Sequence, residues 1–458
     1  MYKTQLGNHQ YKFESLRELL AKASPFRSGD ALAGICAINY EERIAAQITL
    51  SNVPLKNFLN ETVIEYEKDD ITRLIIDSHD ATSFAPISHL TVGEFRDWLL
   101  SSEVTNKIIH QVKDGITPEM AAAVSKIMSL QDLILVSKKI EVVTQFRTTV
   151  GLKGHFSTRL QPNHPNDDNK GIMASILDGL LFGCGDAVIG INPVSNREEI
   201  VISILSMLEE LRVKFDIPMQ SCVLSHYSLT RNIANKAPVD LIFQSIAGTQ
   251  KANESFGVYL NELEEAQQAI LSHNRNKNSG QVFYFETGQG TALSSSANHF
   301  VDQQTCEARA YAVARKFNPF LVNSVVGFIG PEYLFNGKQI TRAGLEDHFC
   351  GKLLGLPMGI DVCYTNHADC DQDDLENLCT LLAAADCNFM MAVPGSDDIM
   401  LQYQSTSYND AAYVRKVFNR NQAPEFVTWL EKMGIQNQAG ELASENARIK
   451  QLLNHLTK

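Results

Sequence analysis

Apolar and polar residues follow two different periods along the chain, and the change between them falls near Thr149. Before that point the apolar residues recur at helical spacing. Thr91-Val92-Gly93-Glu94 has the form of a capping box, and Thr117 is followed by Pro118, a residue that commonly begins helices. The pattern predicts a mostly helical N-terminal domain over residues 1–148.

From residue 149 onward, short apolar runs alternate with longer amphipathic stretches. Each run has the length of a buried strand and is followed by polar residues or glycine. The runs lie at residues 151–156, 187–191, 222–224, 241–243, 282–285, 320–326, 358–362 and 389–393. The stretches between them leave room for one helix each, such as 200–215 and 374–385.

Eight strand–helix units in succession predict a protein of the α/β class with a (β/α)8 TIM barrel over residues 149–404. A doubly wound open sheet is the alternative architecture. Two features count against it: no Gly-x-Gly-x-x-Gly follows the first run, and polar residues recur after nearly every run instead of at one switch point. In a barrel, the active site lies at the carboxyl ends of the strands.

Beyond the last run the pattern is helical again and predicts a C-terminal helical extension over residues 405–458. Pro424 is placed to open a short helix and Gly434 to end it. The stretch 441–456 is charged and amphipathic, with leucine and isoleucine at helical spacing. Such a helix packs on its own domain or forms a subunit contact.

Composition and charge narrow the functional classes. The chain has 458 residues, 44% of them hydrophobic, which suits a large core and two or three domains. It has no apolar run of about 18 residues and no signal-peptide core at its start, and its nine cysteines are scattered singly. A soluble, cytoplasmic protein is therefore expected. The net charge of −13 disfavours nucleic acid and anionic membrane as partners.

Mostly polar residues stand at or near the ends of the runs, where a barrel would collect them at one mouth. They are Arg159, Gln161, Asn192, Pro193, His226, Gln244, Ser245, Glu286, Ser294, Asn323, Asp361 and Met400. Two carboxylates with amide neighbours suit a protonated amine, whereas arginine with asparagine suits a hydroxyl or an oxyanion.

Glu286 is the most informative of these residues. It follows the aromatic run 282–285 and precedes Gly288 and Gly290, which allow the backbone to approach a ligand closely. A carboxylate at the end of a buried strand is poorly solvated and needs a partner, which a bound cation would supply. The alternative is an ordinary carboxylate that faces water where the strand becomes a loop.

Signals for a metal site are weak. The motif Cys363-x3-His367-x2-Cys370 offers three ligands without the pairing that is usual for zinc. The aspartates from 369 to 373 imitate a calcium loop, but Asp374 occupies the sixth position, which requires glycine, so a solvated helix start explains them better. No metal ligand is predicted. The chemistry would then come from an organic or organometallic cofactor, or the site would only bind.

Several long and unusual strings point to a known family. They are FSTRLQPN at 156–163, GDAVIGINP at 185–193, YFETGQG at 284–290 and VGFIGPEYL at 326–334, with YTNHAD at 364–369 and DDIM at 397–400. These strings resemble the large, catalytic subunit of ethanolamine ammonia-lyase. The resemblance covers nearly the whole chain and weakens only beyond about Gln422.

The resemblance implies a (β/α)8 barrel that uses adenosylcobalamin in a radical conversion of ethanolamine to acetaldehyde and ammonia. The implied substrate-binding residues are Arg159, Gln161, Asn192, Glu286 and Asp361, of which Arg159, Glu286 and Asp361 are the implied catalytic residues. The residues that would face the cobalamin are Pro193, Ser245, Ser294 and Met400. A small ammonia-lyase subunit would be a partner, and large subunits would form a homo-oligomeric core, in the free cytoplasm or inside a bacterial microcompartment.

The charge of each implied substrate contact predicts its role. Glu286 and Asp361 would hold the ammonium group, with Glu286 also reaching the hydroxyl, and Gln161 would support the amine. Arg159 and Asn192 would donate to the hydroxyl oxygen and ease charge redistribution as the amino group migrates.

Two other functional classes remain as alternatives. One is a catalytically silent amine-binding subunit of the same fold. The other is a metal-dependent hydrolase, which would need clustered histidines at strand ends, where His226 stands alone. The cobalamin motif Asp-x-His-x-x-Gly is imitated by Asp77-Ser78-His79-Asp80-Ala81-Thr82, which lacks the glycine. Histidine is therefore not expected to replace the lower base of the cofactor.

Overall fold

The structure is a computed structural model that describes residues 1–273, 275, 276, 279–443 and 450. The predicted helix at 441–456 lies almost entirely outside the described residues. No helix in the described part of the chain is long and apolar enough to cross a membrane.

Eight parallel strands form the central barrel. They are β1 (Ser157–Leu160), β2 (Val188–Ile191), β3 (Ser221–Val223), β4 (Ile242–Ser245), β5 (Phe283–Thr287), β6 (Leu321–Val326), β7 (Met358–Thr365) and β8 (Phe389–Ala392). The ladder runs from β3 through β2, β1, β8, β7, β6 and β5 to β4. Near the start of β3 and β4, the Ser221 backbone N–H donates to Asp240 Oδ2 at 3.0 Å. The predicted (β/α)8 barrel is confirmed.

The first of the eight predicted strands is wrong, whereas the other seven overlap observed strands. Residues 151–156 form a loop in which Gly151 and Gly154 have positive φ angles of 91° and 82°. The true first strand, Ser157–Leu160, is mostly polar but fully buried. Thr158 can be buried because its backbone N–H and its hydroxyl both donate to Asp186 Oδ1, at 2.8 and 2.9 Å. Hydrophobic patterning cannot detect a strand whose buried groups are polar and paired.

Helices follow the barrel strands, most of them on the outside of the barrel. They are Asn169–Leu181, Glu198–Phe215, Tyr227–Ile233, Gln250–Ser255, Leu260–Ser272, Thr291–Ser294, Gln303–Phe317, Gly337–Leu353, Gln372–Ala384 and Tyr408–Phe418. The helices predicted at 200–215 and 374–385 are therefore confirmed. Asp371 and Asp374 form a capping box, so this part of the acidic run is a helix start, as expected.

The region before the barrel is mostly helical. Its helices are Leu16–Ala23, Ser28–Leu32, Tyr40–Ser51, Asn57–Asn60, Asp70–Asp77, Ala81–Phe84, Val92–Leu100, Asn106–Val112, Pro118–Lys126 and Leu130–Ser137, with short 3₁₀ turns at Tyr66–Lys68 and Lys113–Gly115. The predicted capping box at Thr91 and the N-cap at Thr117 are both present. An antiparallel hairpin of Tyr2–Leu6 and His9–Phe13 was not predicted, and Thr144–Gln145 pairs with Thr149–Val150.

The N-terminal region packs against the two helices that follow β5 and β6, and buried ion pairs cross this contact. Lys126 Nζ lies 2.7 Å from Asp302 Oδ1, and Arg309 Nη2 lies 2.6 Å from Asp69 Oδ2. All four side chains are fully buried. Because a buried charge is costly unless it is paired, these contacts fix how the two regions fit together.

The chain adds a small sheet to the barrel mouth after β8. A short 3₁₀ turn, Pro394–Ser396, leads to Asp397–Asp398, which pairs with Tyr403–Ser405. Tyr403–Ser405 in turn pairs antiparallel with the carboxyl half of β7, with Cys363 opposite Ser405. The helix Pro424–Met433 follows and ends at Gly434, which has a φ of 65°, as predicted.

Candidate active site

The carboxyl ends of the barrel strands enclose a cavity of about 490 Å³. All five predicted substrate-binding residues, Arg159, Gln161, Asn192, Glu286 and Asp361, line it. Glu286 and Asp361 are therefore on the same face of the sheet, as expected. Arg159, Glu286 and Asp361 lie within their strands and not beyond them.

Strand β5 explains why an aromatic run ends in a glutamate. Side chains alternate between the two faces of a strand, so residues two apart point the same way. Phe283 and Phe285 stack on each other with ring centroids 4.6 Å apart, and both contact Phe317 on an outer helix. Tyr284 and Glu286 share the opposite, inward face, where the Tyr284 hydroxyl donates to Glu286 Oε1 at 2.7 Å.

Arg159 is the partner of the Glu286 carboxylate. Its Nη1 donates to Glu286 Oε1, which also accepts from Asn323 Nδ2 at 3.3 Å. The expected partner was a bound cation, whereas in this structure Arg159 pairs with the carboxylate. Among the described residues no hydrogen bond reaches Glu286 Oε2, and the Glu286 side chain is 15% exposed. Oε2 is therefore the oxygen left for a ligand.

The Arg159 guanidinium is almost fully buried, at 1% exposure. Its Cζ lies 5.1 Å from the centroid of the Tyr284 ring, and Nη2 donates to Gln161 Oε1. Burial lowers the pKa of Arg159, but Tyr284 and Glu286 outweigh this effect and raise the pKa above its ordinary value. The guanidinium is therefore a permanent positive charge inside the site.

Gln161 connects several side chains at the mouth. Its Nε2 donates to Asp398 Oδ2 at 2.7 Å and to the Tyr403 hydroxyl at 2.8 Å. Its Oε1 accepts from Asn192 Nδ2 at 3.1 Å as well as from Arg159. The amide is thus bonded at both ends before any ligand arrives.

Asp361 lies inside β7, opposite Val325 of β6. Its Oδ1 accepts from the Ser405 hydroxyl at 2.6 Å, and its Oδ2 accepts from the Tyr403 hydroxyl at 3.2 Å. Burial raises the pKa of Asp361 to about 7, against the lowering effect of these hydrogen bonds and of Arg159. Near neutral pH this carboxyl group is therefore divided between its neutral and ionised forms.

The four predicted cofactor-facing residues have different positions. Ser245 lines the cavity, whereas Pro193, Ser294 and Met400 do not. Each of those three is close in sequence to a lining residue, namely Asn192, Thr291 or Leu401. The cavity wall also contains the apolar residues Phe243, Phe256, Phe328, Ile329 and Leu401.

Several polar residues around the cavity were not predicted as site residues, among them Tyr284, Asp398, Tyr403 and Ser405. Tyr284 could have been found, because it stands two positions before Glu286 on the same face of a strand. Asn323 was recognised as a strand residue without a role. Asp398, Tyr403 and Ser405 follow the last barrel strand, where no periodic pattern marks them.

The residues that were weaker candidates for a catalytic or metal site make contacts with nearby residues instead. His226 lines the cavity, but its Nδ1 is 2.7 Å from Ser228 Oγ, at the start of the helix Tyr227–Ile233. In the described part of the chain, Cys363, His367 and Cys370 do not form a group that could hold a metal ion. The Cys363 thiol is buried and donates to the Val326 carbonyl at 2.9 Å.

Comparison with solved structures gives only weak matches. Two solved structures, a truncated 3-deoxy-D-arabino-heptulosonate 7-phosphate synthase from Thermotoga maritima and Plasmodium falciparum HPPK-DHPS, align with TM-scores of 0.35 and 0.37 and 10% and 11% identity. They cover 61% and 76% of this chain and 91% and 64% of their own, and scores this low carry no argument.

Sequence relatives are far closer. The ethanolamine ammonia-lyase large subunits of Salmonella typhimurium and Escherichia coli K12 are each 49% identical over 434 residues, which is 94% of this chain and 96% of theirs. A family model described as ethanolamine ammonia lyase large subunit (EutB) matches residues 11–445. The chain therefore belongs to the ethanolamine ammonia-lyase large-subunit family.

Proposed function

We propose that this chain is the catalytic subunit of an ethanolamine ammonia-lyase, which converts ethanolamine to acetaldehyde and ammonia with adenosylcobalamin as cofactor. One observation carries the proposal: two carboxylates, an arginine and two amides converge on one cavity at the barrel mouth. Ethanolamine is small and carries an ammonium and a hydroxyl group, so it needs both acceptors and donors within a short distance. Membership of the family identifies the amine as ethanolamine.

Glu286 and Asp361 hold the ammonium group in this proposal. Glu286 contributes Oε2, because Arg159, Tyr284 and Asn323 all donate to Oε1. Asp361 ionises when the ammonium binds, because a nearby positive charge favours the carboxylate. The carboxylates then act as acceptors that are already oriented before the substrate arrives.

Arg159 and Asn192 act on the hydroxyl end. Both line the cavity, and Gln161 Oε1 accepts from both side chains. Donation from a permanent cation stabilises negative charge that develops on the hydroxyl oxygen while the amino group leaves its carbon. The barrel walls exclude water from the reacting carbons.

We propose that residues around the cavity contact one face of adenosylcobalamin. When bound, the cofactor would supply a carbon-centred radical for hydrogen abstraction from the substrate. Apolar side chains such as Phe328, which is 37% exposed, suit contact with a large ring. Pro193, Ser245, Ser294 and Met400 would face the cofactor. Adenosylcobalamin is far larger than a cavity of about 490 Å³, so this chain holds only part of it.

The remaining face of the cofactor requires a partner, and we propose a small ammonia-lyase subunit for it. The name "large subunit" of the relatives supports such a partner. A homo-oligomeric core of large subunits and a location in the cytoplasm or in a bacterial microcompartment complete the proposal. We also propose that the chain consists of three domains, at residues 1–148, 149–404 and 405–458. Ser405 belongs to the third of these by position, but it contacts Asp361 and functions with the barrel.

The test is an acetaldehyde assay of the chain with ethanolamine and adenosylcobalamin, with and without the small subunit. We expect acetaldehyde with both subunits and none above background from this chain alone. Full activity of the chain alone would refute the two-subunit site. Ethanolamine binding without any acetaldehyde from the complete complex would instead identify a catalytically silent amine-binding subunit.

A further inference from the structure

Asp398 belongs to the small sheet after β8, and its carboxylate is surrounded by four donors. Oδ2 accepts from Gln161 Nε2 at 2.7 Å and from Asn163 Nδ2 at 2.8 Å. Oδ1 accepts from the backbone N–H groups of Met400 at 3.1 Å and Leu401 at 2.7 Å. The residue is 3% exposed. An ionised carboxylate is the side chain that satisfies four donors at once, because it accepts at both oxygens.

These contacts fix the orientation of the Gln161 amide. Asp398 can only accept and the Arg159 guanidinium can only donate, so Gln161 must turn its NH₂ group toward Asp398 and its oxygen toward Arg159. The same oxygen also accepts from Asn192 Nδ2. The charge of Asp398 thereby determines how Arg159 and Asn192 are presented to the cavity.

We propose that Asp398 is the positioning residue of the active site, acting through Gln161 on Arg159 and Asn192 and through its backbone contacts on Met400 and Leu401. The inference rests on the proposed function, which assigns Arg159 and Asn192 to the substrate and Met400 to the cofactor. Asp398 itself does not line the cavity. It connects the donors for the substrate hydroxyl to the loop that carries Leu401 in the cavity wall.

The isosteric substitution Asp398→Asn tests the proposal. An asparagine must place its NH₂ group against one pair of donors, either the two side-chain amides or the two backbone N–H groups, and that pair loses its acceptor. We expect ethanolamine binding, measured by calorimetry without cofactor so that no turnover occurs, to weaken about tenfold. In the complete enzyme the same change should raise KM and lower kcat.

A charge exchange separates positioning from a general structural role. Gln161→Glu alone sets two carboxylates against each other and should weaken binding at least as much as Asp398→Asn. In the double variant Gln161→Glu with Asp398→Asn, the new glutamate accepts from the new asparagine and still accepts from Arg159. The double variant should therefore bind ethanolamine more tightly than Gln161→Glu alone. A purely structural defect would not be relieved by a second substitution.

Asp397 offers a matched control, because it is the neighbouring aspartate, is exposed, and accepts from Gln404 Nε2 at 3.1 Å at the surface. Asp397→Asn should leave binding and turnover unchanged.

Wild-type affinity in Asp398→Asn, or losses that simply multiply in the double variant, would overturn the proposal. If Asp398→Asn does not fold, wild-type affinity in Gln161→Glu would overturn it equally. Absence of acetaldehyde from the wild-type complex would instead contradict the proposed function. The binding measurements without cofactor do not depend on turnover, so they test the role of Asp398 separately.

Discussion

Arg159 and Arg309 are both buried and both paired with carboxylates, but their surroundings differ. Every nitrogen of Arg309 donates to the protein: Nε to the Gly248 carbonyl, Nη1 to Glu119, and Nη2 to Asp69 and Thr72. Arg159 faces a cavity, and its Nε has no hydrogen-bond partner among the described residues. Its partner Glu286 keeps one oxygen unbonded within the same part of the chain. Burial of a charge therefore does not by itself indicate function; incomplete pairing beside a cavity does.

The largest expected effect concerns stability at Arg309. Arg309→Met leaves Asp69 and Glu119 buried without their cation, which should lower the free energy of unfolding by about 3–5 kcal/mol. Urea denaturation followed by circular dichroism measures the change. Arg231→Met, which removes a partly exposed pair with Glu265, should cost less than about 1 kcal/mol. Similar losses in the two variants would show that the contrast between buried and exposed pairs is mistaken.

Glu286→Gln should have the opposite profile: the fold is retained, because the glutamine oxygen can still accept from Arg159 Nη1, but turnover is severely reduced. The glutamine has no negative charge for the substrate ammonium, and losing a charged hydrogen bond costs about 1.5–3 kcal/mol or more. This corresponds to a fall in kcat/KM of roughly 10- to 150-fold or more. Steady-state kinetics of the complete enzyme, with circular dichroism as the folding check, measures it. Glu264→Gln, at a largely exposed position, is the control, and near-normal kcat/KM in Glu286→Gln would end the assigned role.

Arg159→Lys tests whether charge alone is sufficient. Lysine keeps the positive charge but lacks the planar fork that reaches Glu286, Tyr284 and Gln161 together. We expect kcat/KM to fall about tenfold, the equivalent of one hydrogen bond. Wild-type kinetics with lysine would show that the geometry of the guanidinium is unimportant.

The smallest expected effect is a pH dependence that originates at Asp361. Its pKa of about 7 means that the ionised fraction rises between pH 6 and 8, while a simple alkyl ammonium stays protonated up to about pH 10. Because the ammonium needs the carboxylate, the affinity for ethanolamine should rise by about tenfold at most across this interval. Calorimetry at several pH values measures the rise. In Asp361→Asn, the part of this rise in affinity that Asp361 causes should disappear.

The effect of Asp361 on stability has the opposite sign. Its pKa is raised by folding, so the native state binds more protons than the unfolded state between the two pKa values. The stabilisation is fully present below the ordinary pKa of aspartate and is lost as the pH rises through about 7. Urea denaturation at pH 5 and pH 8 should show wild type losing more stability with rising pH than Asp361→Asn.

The barrel was largely predictable from the sequence, because seven of its strands carry apolar side chains that pack under helices. The first strand was not, since Thr158 and Arg159 are buried through hydrogen bonds and not through hydrophobicity. The same limit applies to the site. Residues on recognisable strands, such as Glu286 and Asp361, were found from their positions. Asp398 and Tyr403 were missed because their importance depends on contacts with residues more than 200 positions earlier, at Gln161.

The small sheet after β8 has a consequence for the order in which the molecule matures. A chain emerging during synthesis folds from its N-terminal part onward. The ladder connects β1, which carries Arg159, to β5, which carries Glu286, only through β8, β7 and β6, so the Arg159–Glu286 pair also needs the last strand. Asp361 needs in addition Tyr403 and Ser405, which are made after the eighth strand. Neither carboxylate of the cavity is therefore held in place before the eighth strand has been made, and Asp361 acquires its partners last.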